Sequence, residues 1–180
     1  PRELAAGILE CMKAGARIIN LSLALAPPFT RAEPMVEETL NVAARRGVIV
    51  VAAAGNQGAI GTSAITRHPW VIPVAACDLS GRPMNGSNLG RSIGTRGLTA
   101  PGDRVTSLAP QGQSLTLGGT SVAVPFVTGT IALLWSEFPR MSAAQIKLAV
   151  MQGAMPRRGS VVPGLLDAAG REGVGELRRA

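Results

Sequence analysis

Residues 48–55, VIVVAAAG, are an unbroken apolar run of about strand length. A strand with one wet face alternates apolar and polar residues, so a run without alternation needs cover on both faces, as in a parallel sheet between helical layers. VIPVAA (71–76) repeats the pattern, and RIINLSL (17–23) reads as a further strand. In chain order a helical stretch precedes the 17–23 strand, and a second separates it from 48–55. Leu4, Ile8, Cys11 and Met12 recur at helical spacing, with Gly15 where a left-handed cap is wanted. Pro34 suits the first turn of a second helix, whose stripe is Val36, Leu40, Ala43 and Ala44 and whose stop is Gly47. This alternation predicts an α/β fold with an open, mostly parallel sheet flanked by helices.

Composition supports closely spaced layers. The only aromatic residues are Phe29, Trp70, Phe126, Trp135 and Phe138, so Ala, Val, Ile and Leu must fill the core. One hundred and eighty residues suit one domain, which buries roughly 70% of its unfolded surface. From 79 to 118 Gly, Ser, Arg and Pro dominate, with short strand-like pieces such as 104–108. A long apolar helix is expected over about 120–137. A last helix opens on SAAQ, where Ser142 and Gln145 have the spacing of a capping box. The expected organisation is one domain portion over 1–170 and a short charged tail over 171–180.

The net charge of +7 comes mostly from single arginines; the only doublets are Arg45-Arg46, Arg157-Arg158 and Arg178-Arg179. No aromatics interleave with them, so a solvated basic surface is expected rather than a nucleic-acid partner. No apolar run approaches the roughly 18 residues of a membrane span, and no membrane partner is expected. Cys11 and Cys77 give neither a metal spacing nor a disulfide framework. The chain opens on Pro1 and enters a helical pattern at once, as an excised piece would, so its compartment is not legible.

The chemistry-bearing stretch is LGGTSVAVPFVTG (117–129), where loop becomes apolar helix. Gly118 and Gly119 allow a tight turn and close approach of a ligand. Unpaired N–H groups and the positive dipole end of the helix would stabilise an anion forming beside Ser121. Pro125, about one turn in, has no N–H for the Ser121 carbonyl, which leaves that group free for another partner. The arrangement suits a serine that attacks a carbonyl. It equally suits a plain helix cap, and Ala123 stands where a Gly-x-Ser-x-Gly elbow would have its last glycine.

GGTSVAVPFVTGTIALL resembles the nucleophile segment of the subtilisin-like serine proteases, the subtilases, with the pattern Gly-Thr-Ser-x-Ala-x-Pro-x-Val-x-Gly. Gly119, Thr120, Ser121, Ala123, Pro125, Val127 and Gly129 all match. VVAAAGNQG (50–58) is similar to the family's oxyanion segment, IINLSLA (18–24) to its Ile-Asn-x-Ser-Leu-Gly strand, LTAPGDRV (98–105) to its Ala-Pro-Gly loop and GLLDAAG (164–170) to its closing segment. The motifs run in family order over nearly the whole chain. TRHPWVIPVAACDLSGRP (66–83) looks like the bacterial subgroup that trims cyanobactin precursor peptides.

The resemblance implies a three-layer, subtilisin-like α/β domain whose N-terminal strands are missing. It makes Ser121 the nucleophile of a serine endopeptidase and Asn56 the side-chain amide that joins the Ser121 backbone N–H in holding an oxyanion. For Asn56, a turn residue after a strand is the competing reading. The resemblance assigns Ser22, Leu23 and Ala24 to an edge that pairs with an extended peptide or protein substrate, and Ala53, Ala54 and Gly55 to the facing wall of the specificity pocket. Plain strand fits 22–24 as well. Ala24 stands where the family has Gly, and its methyl would narrow the pocket or shift the peptide.

A serine hydroxyl needs a base, and the base an orienting acid. The family's Asp-x-Gly and His-Gly segments are not in this sequence. His68 is the only histidine and no aspartate precedes it, the first being Asp78. His68 falls in a loop where the family has no catalytic residue, and Phe126 stands where a His often follows the motif proline. The chain is therefore expected to be inactive alone, with the missing N-terminal segment of the same domain as partner; the alternative is a non-catalytic pseudoprotease that binds peptides. No cofactor is expected. Calcium is frequent in the family, but no carboxylate cluster here matches a metal site.

Overall fold

A computed structural model of the chain describes residues 1–25, 33–154 and 160–168. The expected tail, 171–180, lies outside the described residues, as do Phe29, Arg157-Arg158 and the last two residues of GLLDAAG. The elements run α1 (Arg2–Lys13), β1 (Ile18–Leu21), α2 (Pro34–Arg45), β2 (Ile49–Ala53), α3 (Ala64–Arg67), β3 (Ile72–Cys77), α4 (Arg91–Arg96) and β4 (Leu98–Pro101). They continue with β5 (Val105–Leu108), a 3-10 turn (Pro110–Gly112), β6 (Ser114–Leu117), α5 (Thr120–Glu137), α6 (Ala143–Gln152) and β7 (Gly164–Leu165).

Five strands form one sheet in the order β1-β2-β3-β4-β7, every neighbouring pair parallel. β2 and β3 are buried along their whole length, as their unbroken apolar runs require. Because side chains alternate across a strand, β2 divides its residues between two cores. Ile49, Val51 and Ala53 join residues of α5 and α6 on one side. Val50 and Ala52 join Ile8 and Met12 of α1, Val36, Leu40 and Ala43 of α2, and Ile65 of α3 on the other. The result is the expected arrangement, helices over both faces of a parallel sheet.

The helix ends follow local signals. Gly15 and Gly47 take positive φ after α1 and α2, and Pro34 occupies the first turn of α2. Ser142 and Gln145 make the reciprocal hydrogen bonds of a capping box at the start of α6. Several elements differ from expectation, the short α3 and β7 among them. The 98–105 segment, read as a loop, contributes β4 to the interior of the sheet between β3 and β7, and α4 precedes it unforeseen. Four residues ending in proline carry little strand signal of their own, and β4 is stabilised by the neighbours that cover it. The piece near 104–108 pairs instead with β6 in a separate antiparallel hairpin.

Candidate active site

β1 and β2 run side by side, with Leu21 opposite Ala52, and the chain leaves both at the carboxyl edge of the sheet. Ser22, Leu23 and Ala24 emerge there exposed. Ala53, Ala54 and Gly55 emerge beside them buried, and their polar groups are largely engaged. Ala54 N–H donates to the Val74 carbonyl at 2.9 Å, and the Gly55 carbonyl accepts from Asn88 N–H at 2.9 Å. The two candidate walls therefore differ: one is an open edge, the other a packed strand end.

The start of α5 meets this edge. Gly119, the residue before the helix, has φ +119° and ψ 174°, a conformation that disfavours any side chain. Its N–H donates to the Gly102 carbonyl at 2.7 Å, and Gly102 N–H donates to the Cys77 carbonyl at 2.9 Å, which seats the helix start on the ends of β3 and β4. Ser121 is half-buried in the first turn. Val122 and Ala123 N–H groups fold back on the Gly119 carbonyl at 3.1 and 3.3 Å. The Ser121 N–H makes no such bond, as expected for a first-turn amide.

Asn56 projects from the loop after β2, and its side chain joins this same turn. Its Oδ1 accepts from Thr120 N–H at 2.9 Å and from Thr120 Oγ1 at 3.0 Å. Thr120, fully buried, also accepts the Gly55 N–H on its Oγ1 at 3.2 Å. The whole carboxamide lies against Gly119: a Cβ there would sit 3.0 Å from Nδ2, 3.1 Å from Oδ1 and 3.3 Å from Cγ. Asn56 is exposed, and among the described residues its Nδ2 donates no hydrogen bond. Among the described residues, Ser121 N–H and Asn56 Nδ2 are thus both left without an acceptor beside the first turn of α5.

The carbonyl that Pro125 leaves unpaired does find another partner. Ser22 Oγ donates to Ser121 O at 2.9 Å. Asn20 Nδ2 donates to Ser22 Oγ at 2.8 Å, and Asn20 Oδ1 accepts from Thr128 Oγ1 at 3.0 Å. This chain of side chains ties the exposed edge to α5.

His68 lies elsewhere. It follows α3 at the amino end of β3, buried, with Nε2 3.1 Å from Asn41 Oδ1 and Nδ1 accepting Trp70 N–H at 3.3 Å. Burial first, and then the Lys147 ammonium, hold its pKa below the usual imidazole value. Both ring nitrogens are engaged away from Ser121. Asp78 pairs with Arg82 and Asp103 with Arg104. Phe126 presents an apolar, half-exposed ring. Among the described residues, no group of three or more His, Cys, Asp or Glu side chains could hold a metal ion, and no helix is long and apolar enough to cross a membrane.

Two residues absent from the sequence-based site have a part in its geometry. Thr120, inside the matched motif, clamps Asn56. Asn88 braces the Asn56 loop from a stretch of Gly, Ser and Arg that carries no local pattern.

The sequence model of the Subtilase family matches residues 2–175. The thermostable alkaline protease of Halalkalibacterium halodurans is 34% identical over 152 residues, covering 84% of this chain and 40% of that protein. Subtilisin BL of Lederbergia lenta is 34% identical over 145 residues, covering 81% of this chain and 51% of that protein. The chain thus spans about half the length of the curated relatives it matches, or less. Patellamide maturation protease PatA superposes with a TM-score of 0.88 at 31% identity, over 98% of this chain and 68% of that one. Prenylagaramide maturation protease PagA gives 0.86 at 28% identity, over 97% and 66%. This likeness agrees with the subgroup that residues 66–83 resemble.

Proposed function

The chain belongs to the subtilase family, and from that premise we propose that it is the C-terminal part of a serine endopeptidase domain acting through Ser121. Ser121 Oγ yields its proton to a base as it attacks the scissile carbonyl carbon, the carbonyl oxygen takes up the negative charge, and the base passes the proton to the departing amine, leaving an acyl-enzyme that water hydrolyses. Ser121 N–H and Asn56 Nδ2 donate to the oxyanion. The single observation that carries this reading is the Thr120 clamp: by taking Asn56 Oδ1 it leaves the amide's donor end unpaired at the turn that holds Ser121. The substrate is a peptide or protein segment lying extended along Ser22, Leu23 and Ala24, with its side chain toward Ala53, Ala54 and Gly55. The Ala24 methyl narrows that pocket or shifts the peptide.

The proton of Ser121 Oγ needs an acceptor, and the described residues supply none beside it. In this proposal the base and its orienting acid come from an N-terminal segment outside the chain, so the isolated chain is inactive or nearly so. The same lack favours the second reading, a non-catalytic module that keeps the peptide cleft.

A fluorophosphonate probe separates the two. The full-length protein should label rapidly at Ser121 and turn over peptides, with both abolished by Ser121→Ala, while the isolated chain labels slowly. A full-length protein that binds peptides equally well with or without Ser121→Ala, and cleaves none, would establish the binding module. Rapid labelling of the isolated chain would overturn the assignment of the base to a missing segment.

A further inference from the structure

Asn88 is 2% exposed, and its side chain makes four hydrogen bonds, all to the segment on either side of Asn56. Its Nδ2 donates to the Ala54 carbonyl at 3.1 Å and to Gln57 Oε1 at 2.6 Å. Its Oδ1 accepts from Gln57 N–H at 3.1 Å and Ala59 N–H at 3.0 Å. A carboxamide has two donor and two acceptor positions, and here every one is spent on residues 54–59. The main chain adds to the grip, because Asn88 N–H donates to the Gly55 carbonyl. The contact is so close that a Cβ on Gly55 would lie 2.3 Å from Asn88 Nδ2.

The brace is itself anchored. The neighbouring Ser87 is buried, and its Oγ accepts Ala76 N–H at 3.0 Å and donates to the Ala76 carbonyl at 3.2 Å, fixing this segment to the end of β3. Gly58 N–H donates to the Gly86 carbonyl at 2.8 Å, and Leu89 N–H to the Ala59 carbonyl at 2.9 Å. Asn56, Gln57 and Gly58 are exposed, so packing does not hold them; hydrogen bonds do. Asn56 is suspended between two clamps, Thr120 on its side chain and Asn88 on the residues that flank it.

We propose that Asn88 is a positioning residue for the oxyanion donor: it touches no substrate and acts by holding the backbone from which Asn56 reaches the first turn of α5. The proposal rests on the protease reading above. Misplacing a catalytic group by about 1 Å costs on the order of a hundredfold in rate, and the cost falls on kcat because the bound substrate carries no oxyanion.

The test uses the full-length protein and steady-state peptide cleavage. Wild type, Ser121→Ala, Asn88→Asp, Asn88→Ala, Asn56→Ala and the Asn56→Ala/Asn88→Ala pair are compared, with thermal midpoints recorded alongside. Asn88→Asp keeps the shape and the acceptors but loses the donors to Ala54 and Gln57. It should lower kcat by about ten- to a hundredfold with KM within about twofold. Affinity for a peptide boronic acid, which forms the oxyanion-like adduct, should fall in proportion to kcat/KM. In the Asn56→Ala background Asn88→Ala should cost less than about threefold more, since the residue through which it acts is already gone. Should both Asn88 variants fail to fold, Gln57→Ala removes one strut from the exposed side and should lower kcat about two- to fivefold at constant KM. Equal losses in both backgrounds, a change in KM alone, or an unchanged kcat in variants that fold would overturn the proposal while leaving the protease reading in place. Cleavage that is indifferent to Ser121→Ala would overturn both.

Discussion

Ser22 Oγ donates to the Ser121 carbonyl across 2.9 Å, a bond between the exposed end of β1 and the first turn of α5, 99 residues further along the chain. It exists because of Pro125. An ordinary residue there would return its N–H to Ser121 O and close the helical turn. With that donor absent, the acceptor is satisfied from β1, and the proposed nucleophile is registered against the proposed substrate edge.

Ser22→Ala should therefore destabilise the chain by about 1 kcal/mol, an ordinary net value for a lost hydrogen bond, and Ser22→Thr should restore most of it. Pro125→Ala supplies a competing N–H. In that background Ser22→Ala should cost less than about 0.5 kcal/mol. Urea midpoints for the four-variant cycle check this, and equal costs in both backgrounds would show that Ser22 acts elsewhere.

The two ends of the Asn56 carboxamide have separable effects. Asn56→Ala strips Thr120, fully buried, of the acceptor for its N–H and its hydroxyl, at about 1–3 kcal/mol for donors left unsatisfied. Asn56→Asp keeps an acceptor for Thr120 but has no N–H for an oxyanion. Its thermal midpoint should stay near that of wild type, while kcat of the full-length protein drops about ten- to a hundredfold, the worth of one hydrogen bond to a charged group. A fully active Asn56→Asp would remove the donor role.

Two glycines ten residues apart should respond in opposite directions. Gly119 has φ +119°, and a methyl there would press on both Asn56 Nδ2 and Oδ1 at 3.0 and 3.1 Å. Gly119→Ala should cost more than about 1 kcal/mol and slow Ser121 labelling in the full-length protein. Gly129 lies within α5 with nothing inside 4 Å of an added Cβ. In this chain Gly129→Ala should stabilise by about 0.5–1 kcal/mol. Denaturant midpoints of the two variants on opposite sides of wild type are the expected result.

His68 makes stability depend on pH in a stated direction. Its folded pKa is held below the imidazole norm, first by burial and then by Lys147, against a smaller opposing pull from Glu37. Protonation at Nδ1 would also set two donors against each other at the Trp70 amide. As pH falls, the unfolded chain takes up the proton first, so stability is full above about pH 6.5 and declines below it, through the depressed folded value. The urea midpoint of wild type should drop between pH 7.5 and pH 5 by more than that of His68→Gln. Parallel drops would mean that other groups carry the acid sensitivity.

Much of the architecture was legible because its signals are local. The apolar run 48–55 contains within itself the requirement for two covering layers, and the structure divides its residues between two cores. The Ser142–Gln145 capping box, Pro34 in a first turn and the limits of α5 each depend on residues within one turn of helix. Ser121 was legible in the same way, as a serine at a glycine-flanked loop-to-helix junction, and the absence of a donor at Pro125 correctly marked the carbonyl of Ser121 as needing another partner.

Sequence by itself determined the helices α1, α2, α5 and α6, the buried strands β2 and β3, and which residue types stand at the helix junction. Tertiary structure alone decided that β4 is an interior strand, that Ser22 meets the Ser121 carbonyl, that Thr120 turns the Asn56 carboxamide and that Asn88 braces its loop. The physical reason is distance along the chain. Periodicity and capping are set by neighbours a few residues apart. A hydrogen bond that spans 31, 64 or 99 residues forms only where the folded sheet brings the two groups together, and leaves no local mark on either.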